Sequence, residues 1–291
     1  MSGLDWGREG LIWPHREASS FIETGGKRWH VQRMGSGPPL LLLHGTGASV
    51  HSWRGLMPLL ARSHAVTAID LPRHAFTTGH DAYAMSLPAM SAEVAGLLEA
   101  IDLKPEAIVG HSAGAAIALQ LALAHGYAGP VIGLSAALRP FPGALAQIFP
   151  ALAKALFVNP LVPRFFAGTI DIAGGAERFM WRSTRSRIDA AGMECYRALL
   201  KNPDHAEGGL AMMANWDLPS LRARMGNVAN PVLLVHGAND PAIPLAWARD
   251  AAGWLGHARL DVLPGLGHLA HEEDPETAAA LIAAFLAQQE A

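Results

Sequence analysis

The 291-residue chain is 51% hydrophobic and 16% charged, with a formal net charge of −3. That composition suits one large buried core and excludes a disordered chain, and its charge balance offers no electrostatic footprint for nucleic acid. The single cysteine, Cys195, excludes an internal disulfide framework and a cysteine-rich metal site.

Residues 1–18 are polar, with Trp6 and Trp13 among them, and read as an irregular arm without the apolar core of a signal peptide. No run reaches the roughly 18 apolar residues that span a bilayer. A cytoplasmic protein without a transmembrane segment is therefore expected. Ser19 to Glu23 and Arg28 to Met34 alternate in polarity around Thr24-Gly25-Gly26-Lys27, a hairpin pattern. Leu40 to Leu43 is continuously apolar, as a strand covered on both faces should be, and runs into His44-Gly45-Thr46-Gly47. Val66 to Leu71 is a second such strand. Leu87, Met90, Val94, Leu97, Leu98 and Ile101 recur at helical spacing within 85–101.

Next comes the stretch around which the chain is organised. Ala107 to Val109 leads into Gly110-His111-Ser112-Ala113-Gly114, and Ala115 to His125 has helix-forming composition. A serine at the tip of such a strand–turn–helix takes a strained backbone that lifts its hydroxyl clear of the sheet, at a helix N-terminus that favours developing negative charge. Glycines at 110 and 114 let strand and helix pass close together. The plainer reading is a glycine-rich turn with an ordinary N-cap serine.

Pro130 to Leu134, Pro231 to Val235 and Leu260 to Leu263 are further buried strands, and Thr277 to Leu286 is a closing helix behind Asp274-Pro275. Strands alternating with helices imply a parallel sheet. About 95 residues separate Leu134 from Pro231, far beyond an ordinary connection. They carry helical patterns and no clear strand. The expected fold is therefore α/β, a mostly parallel central sheet flanked by helices, with the core in 1–135 and 228–291 and an inserted helical cap in 136–227. An insertion at the C-terminal edge of the strands would cover the elbow.

A serine hydroxyl needs an adjacent base, and the base an orienting acid. In this architecture the chain order is Ser, acid, His. Asp240 and His268 each follow a late strand, so Ser112, Asp240 and His268 are the candidate nucleophile, acid and base. Asp70 precedes the serine and reads better as a loop carboxylate accepting backbone N–H bonds. The Ala113 amide, with that of Thr46 or the neighbouring Gly47, is the candidate oxyanion hole. Gly45, Gly47 and His111 are the candidate substrate contacts of the core, and Phe141 and Phe149 those of the cap. The 14 histidines show no metal-binding helical spacing, so no metal or cofactor is expected.

These motifs, with Leu42-Leu43-His44-Gly45-Thr46-Gly47, Asp70-Leu71-Pro72, His236-Gly237-Ala238-Asn239-Asp240 and Gly265-Leu266-Gly267-His268, resemble the α/β-hydrolase superfamily over nearly the whole chain. Trp13-Pro14-His15-Arg16-Glu17-Ala18-Ser19, Trp29-His30-Val31-Gln32 and Ser52-Trp53-Arg54 resemble one branch of it, the BchO-type magnesium-chelatase accessory proteins of bacteriochlorophyll biosynthesis. The resemblance implies a role near magnesium insertion into protoporphyrin but supplies no known substrate; a small apolar ester or a tetrapyrrole is the candidate substrate, and magnesium-chelatase subunits are candidate partners. One departure stands out. Where the superfamily reads Asp-Leu-Pro-Gly-His-Gly, this chain has Asp70-Leu71-Pro72-Arg73-His74-Ala75, which predicts a strained or altered loop if either position holds a positive φ.

In the insertion, Phe141, Phe149, Phe157, Phe165 and Phe166 suit the lobe's own core, the lining of an apolar pocket above Ser112, or a surface for peripheral membrane or partner contact. Arg178, Arg182 and Arg185 share a helical face, which reads as a solvated basic surface or a carboxylate clamp. The expected activity is serine hydrolysis of an apolar carboxylic ester. The alternative is a non-catalytic tetrapyrrole-binding or chelatase-assisting factor on the same fold.

Overall fold

The computed structural model describes residues 4–79, 85–139, 161–170, 172 and 174–289. Eight strands form one sheet: β1 (Ser19–Thr24), β2 (Lys27–Met34), β3 (Pro39–Leu43), β4 (Ala65–Ile69), β5 (Ala107–His111), β6 (Val131–Leu134), β7 (Val232–Gly237) and β8 (Ala258–Leu263). Their spatial order is β1-β2-β4-β3-β5-β6-β7-β8. β1 and β2 are the expected hairpin, β2 pairs antiparallel with β4, and every later pairing is parallel.

Alternation along these strands sorts the core into two layers. Leu40, Leu42, Val109, Ile132, Leu233 and Val235 face one side, where they meet α1 (Leu56–Leu60), the short α10 (Ala270–Glu273) and the last helix, α11 (Pro275–Ala287). Leu41, Leu43, Ile108, Val131, Val232 and Leu234 face the other, against α2 (Leu87–Ala100), α3 (Ala113–Ala124) and α9 (Leu245–Leu255). Both faces are covered, which is why these strands read as unbroken apolar runs. The four leucines of β3 are each at most 1% exposed, and burial of each contributes about 1.5–3 kcal/mol relative to exposure. α11 starts where expected, with the Asp274 carboxylate accepting from Thr277 N at 3.0 Å and proline in its first turn.

Between β6 and β7 the described residues hold five helices and no strand: α4 (Leu161–Thr169), α5 (Gly175–Thr184), α6 (Ala190–Leu200), α7 (Pro203–Ala214) and α8 (Leu218–Arg224). The N-terminal arm is less loose than its composition suggests. Two 3-10 turns, Glu9–Ile12 and Arg16–Ala18, bury Trp13 and hold Trp6 against Phe21 and Phe76. The arm reaches α6, where the fully buried Cys195 thiol lies 3.6 Å from the Ile12 carbonyl and burial pushes its pKa up to about 12.

Parallel registers bring the C-terminal ends of β3, β4, β5, β6, β7 and β8 to one edge of the sheet: Leu43 pairs with Ile69 and Gly110, His111 with Leu134, and Gly237 with Leu263. The loops carrying residues 44–47, 70–77, 112, 238–244 and 264–269 therefore share that edge.

Candidate active site

Ser112 sits between β5 and α3 with φ 50° and ψ −112°, and its hydroxyl makes no capping bond to the helix. That excludes the ordinary N-cap serine. The turn is enforced by its glycines. A Cβ at Gly114 would lie 2.0 Å from the Leu43 carbonyl oxygen, and one at Gly110 would lie 2.4 Å from Ala115 N. The strand runs through His111 and the helix begins at Ala113, so the turn is tighter than the sequence suggests.

Asp240 and His268, 28 positions apart, meet at the same edge. His268 Nδ1 donates to Asp240 Oδ2 at 2.6 Å, while Asp240 Oδ1 accepts from the Ala242 and Ile243 amides at 2.8 and 2.9 Å. The carboxylate is thus held on three sides and fixes the imidazole with Nε2 free of that bond. Ser112 and His268 line one cavity. Among the described residues no hydrogen bond joins the Ser112 hydroxyl to the ring.

The loop after β3 lies opposite. Among the described residues neither the Thr46 amide nor the Ala113 amide donates to a protein acceptor. Gly47 holds φ 74°, and the Thr46 hydroxyl donates to the Met212 thioether at 3.2 Å. Gly45 is buried behind the cavity wall, where an added Cβ would fall 2.8 Å from His111 Nδ1 and 3.0 Å from the Ser112 Cβ. Phe141 and Phe149 lie outside the described residues.

The shared cavity is about 540 Å³, and its described walls are almost wholly apolar. Thr46, Gly47, His111, Ser112 and His268 form the floor, and Val162, Phe179, Met180, Leu200, Leu210 and Met213 come from α4 to α7 above it. This size and lining suit a small or medium apolar ligand. Arg178, Arg182, Arg185 and Arg187 are exposed and stand outside the described cavity wall, as a solvated basic face rather than a clamp over Ser112.

Histidines hold the site's loops in place. His111 Nε2 donates to the His268 carbonyl at 3.1 Å, tying the strand that leads into Ser112 to the loop that carries His268. Burial, reinforced by His271 and His268, holds its pKa well below 6.5. His205, on α7, was not singled out by sequence. Its Nδ1 accepts from Ala75 N at 3.0 Å, so Nε2 carries the proton that it donates to the Gly47 carbonyl at 3.1 Å. Burial lowers its pKa to about 4. His205 thus joins the loop after β3 to the loop after β4. In that second loop Arg73 (φ 60°) and Ala75 (φ 44°) both adopt the left-handed conformation of the absent glycines, so the loop keeps its shape and carries the strain. Arg73 pairs with Glu207 of α7 at 3.0 Å. Asp70 is the anchor its sequence context suggests, accepting from Val50 N at 2.8 Å and Phe76 N at 3.3 Å, with the fully buried His30 Nδ1 at 2.7 Å.

A second network was equally invisible in sequence. Arg54 pairs with the buried Glu272 and, at 3.1 Å, with Asp189, the N-cap of α6. The Tyr196 hydroxyl, on the cavity wall, donates to Glu272 at 2.6 Å. Burial alone would lower the Arg54 pKa, but Glu272 and Asp189 hold it above its ordinary value.

Known proteins resemble the chain in sequence and in fold. The model of the alpha/beta hydrolase family matches residues 40–281. The chain is 40% identical over 266 residues to the magnesium-chelatase 30 kDa subunit of Rhodobacter capsulatus, covering 89% of this chain and 91% of that one. It is 31% identical over 255 residues to a pimeloyl-[acyl-carrier protein] methyl ester esterase of Aromatoleum aromaticum, covering 84% and 96%. An alpha/beta hydrolase fold protein from Burkholderia ambifaria superposes with a TM-score of 0.76 at 22% identity, over 97% of this chain and 98% of that one. By its family match, its relatives and its fold, the chain belongs to the alpha/beta hydrolase family.

Proposed function

We propose that the protein is a serine hydrolase of apolar carboxylic esters, with Ser112 as nucleophile, His268 as general base and Asp240 as the acid that orients it. The observation that carries this reading is the Asp240–His268 pair at 2.6 Å beside a serine in a left-handed turn, both opening into one apolar cavity. His268 Nε2 takes the hydroxyl proton as Ser112 Oγ bonds to the acyl carbon. The amides of Ala113 and Thr46 hold the resulting oxyanion, and Asp240 stabilises the imidazolium. The ester C–O bond then breaks, His268 returns its proton to the leaving alcohol, and water releases the acyl group by the same steps. The serine–imidazole hydrogen bond that the first step needs is of the kind that often tightens only with substrate bound. On this reading 136–227 is a cap whose helices close the acyl site, and Gly47 and His111 contact the substrate. The 31% identity to a methyl ester esterase supports ester chemistry.

The 40% identity to a magnesium-chelatase subunit favours a setting near magnesium insertion into a tetrapyrrole. It also carries the second reading, an accessory factor that binds a tetrapyrrole or the chelatase and does not turn over. One pair of measurements separates the two. Fluorophosphonate labelling at Ser112, with hydrolysis of p-nitrophenyl esters abolished by Ser112→Ala, is the result expected of the hydrolase. No labelling, equal rates for wild type and Ser112→Ala, and tight porphyrin binding would establish the accessory factor instead.

A further inference from the structure

Five of the seven large apolar side chains most exposed among the described residues fall between 161 and 181: Leu161 (64%), Phe165 (74%), Ile172 (63%), Phe179 (39%) and Trp181 (44%). Leu161 and Phe165 are one turn apart on α4. On α5 the buried side is Ala176, Met180 and Thr184, so Arg178 and Arg182 lie on the opposite side of the helix, with Phe179 and Trp181 on either flank. α4 packs mainly on α7 and α5 on α6, and Val162 of α4 and Phe179 of α5 meet at the wall of the same cavity. The stretch is also basic in an acidic protein. Residues 161–187 hold five arginines against Asp171 and Glu177, while the whole chain has a net charge of −3. Glu177 is paired with Arg197. Beside this ridge a recess of about 590 Å³ is lined by Trp181, Arg185, Arg187 and Asn239, with the Arg185 guanidinium 5.4 Å from the Trp181 ring centre. Glu273 also lines the recess, its carboxylate accepting from the Gly267 and Arg187 amides.

We propose that this ridge seats on an anionic membrane surface, with its aromatic and aliphatic side chains in the headgroup boundary and its arginines against lipid phosphates. Aromatic and aliphatic groups rimmed by arginine are the composition of an interfacial helix face. The site's position favours lipid over an acidic protein partner. Phe179 belongs both to the exposed ridge and to the wall of the cavity holding Ser112, so a lipid surface would deliver an apolar substrate to the cavity, whereas a docked protein would cover its edge. Among the described residues no helix is long and apolar enough to cross a membrane, and the proposed contact is peripheral.

The test is co-sedimentation with vesicles of phosphatidylcholine alone and with about 30 mol % phosphatidylglycerol. The full chain is expected to pellet with the anionic vesicles only, and to be released by about 0.5 M salt. Arg182→Gln with Arg185→Gln should weaken binding on the order of ten-fold or more, and Phe165→Ser with Ile172→Ser should do so comparably. These four side chains are exposed, and unchanged thermal melting will establish that the variants fold. Ser112→Ala should sediment like wild type, so loss of ester turnover and loss of vesicle binding are separate results. No sedimentation, equal sedimentation with both vesicles, or binding indifferent to both pairs of substitutions overturns the proposal.

Discussion

Asp240 acts on the imidazole through one short bond and is itself held by two backbone amides. Asp240→Asn preserves volume and fold but presents an amide to Nδ1, favouring the wrong tautomer. On the proposed mechanism it is expected to lower kcat for p-nitrophenyl esters on the order of a thousand-fold or more, with little change in KM. A stability effect of opposite sign belongs to Ala75. Its φ of 44° is a conformation that glycine adopts without strain, so Ala75→Gly should raise the unfolding free energy by about 0.5–1 kcal/mol, read from the urea midpoint. Arg73→Gly relieves the same strain but also removes the pair with Glu207, and should gain less.

The elbow behaves as one element, because β5, Ser112 and α3 are locked by contact rather than by the serine itself. Gly114→Ala puts a methyl carbon 2.0 Å from the Leu43 carbonyl oxygen, a backbone atom that cannot swing aside. It is expected to cost more than the 1–3 kcal/mol usual for overpacking and to leave little soluble protein on expression. This element was legible in the sequence because its constraints are local: an apolar strand, two glycines and a helix within 20 residues. The central strands were legible for the same reason, since double-sided burial writes itself as Leu40 to Leu43 or Val232 to Val235. α1 and α9 carried no such mark. α1 is five residues long with Pro58 inside, and α9 buries mainly Ala248, Ala251 and Leu255, small residues that leave a faint amphipathic pattern. The candidate triad could be named because each member follows a strand end. The cavity could not, because Phe179, Leu200, and the pair His205 and Met213 come from three different helices and only tertiary packing gathers them. His205 and the Arg54–Glu272–Tyr196 network were missed for the same reason.

For the whole molecule, the buried histidines set the response to acid. His205 and His271 are held neutral, with pKa values of about 4 and 3, by burial first. In the unfolded chain both titrate near 6.5. Below that pH the unfolded state takes up protons that the folded state refuses, so each residue withdraws about 1.4 kcal/mol of stability per pH unit until its own folded pKa is reached. Urea melts between about pH 7 and pH 5 should therefore show stability falling with acidity, and His271→Phe should flatten the slope. Finally, Cys195 has a consequence for watching the protein open. Its thiol is sealed between the arm and α6, the helix that Asp189 caps and Arg54 fastens, and it is the chain's only one. A disulfide reagent such as dithionitrobenzoate should find no target until that seam parts, making the residue a built-in clock for the event. The colour should develop slowly in native buffer and faster with each increment of urea, whereas immediate reaction in native buffer would mean that the arm is not seated on α6.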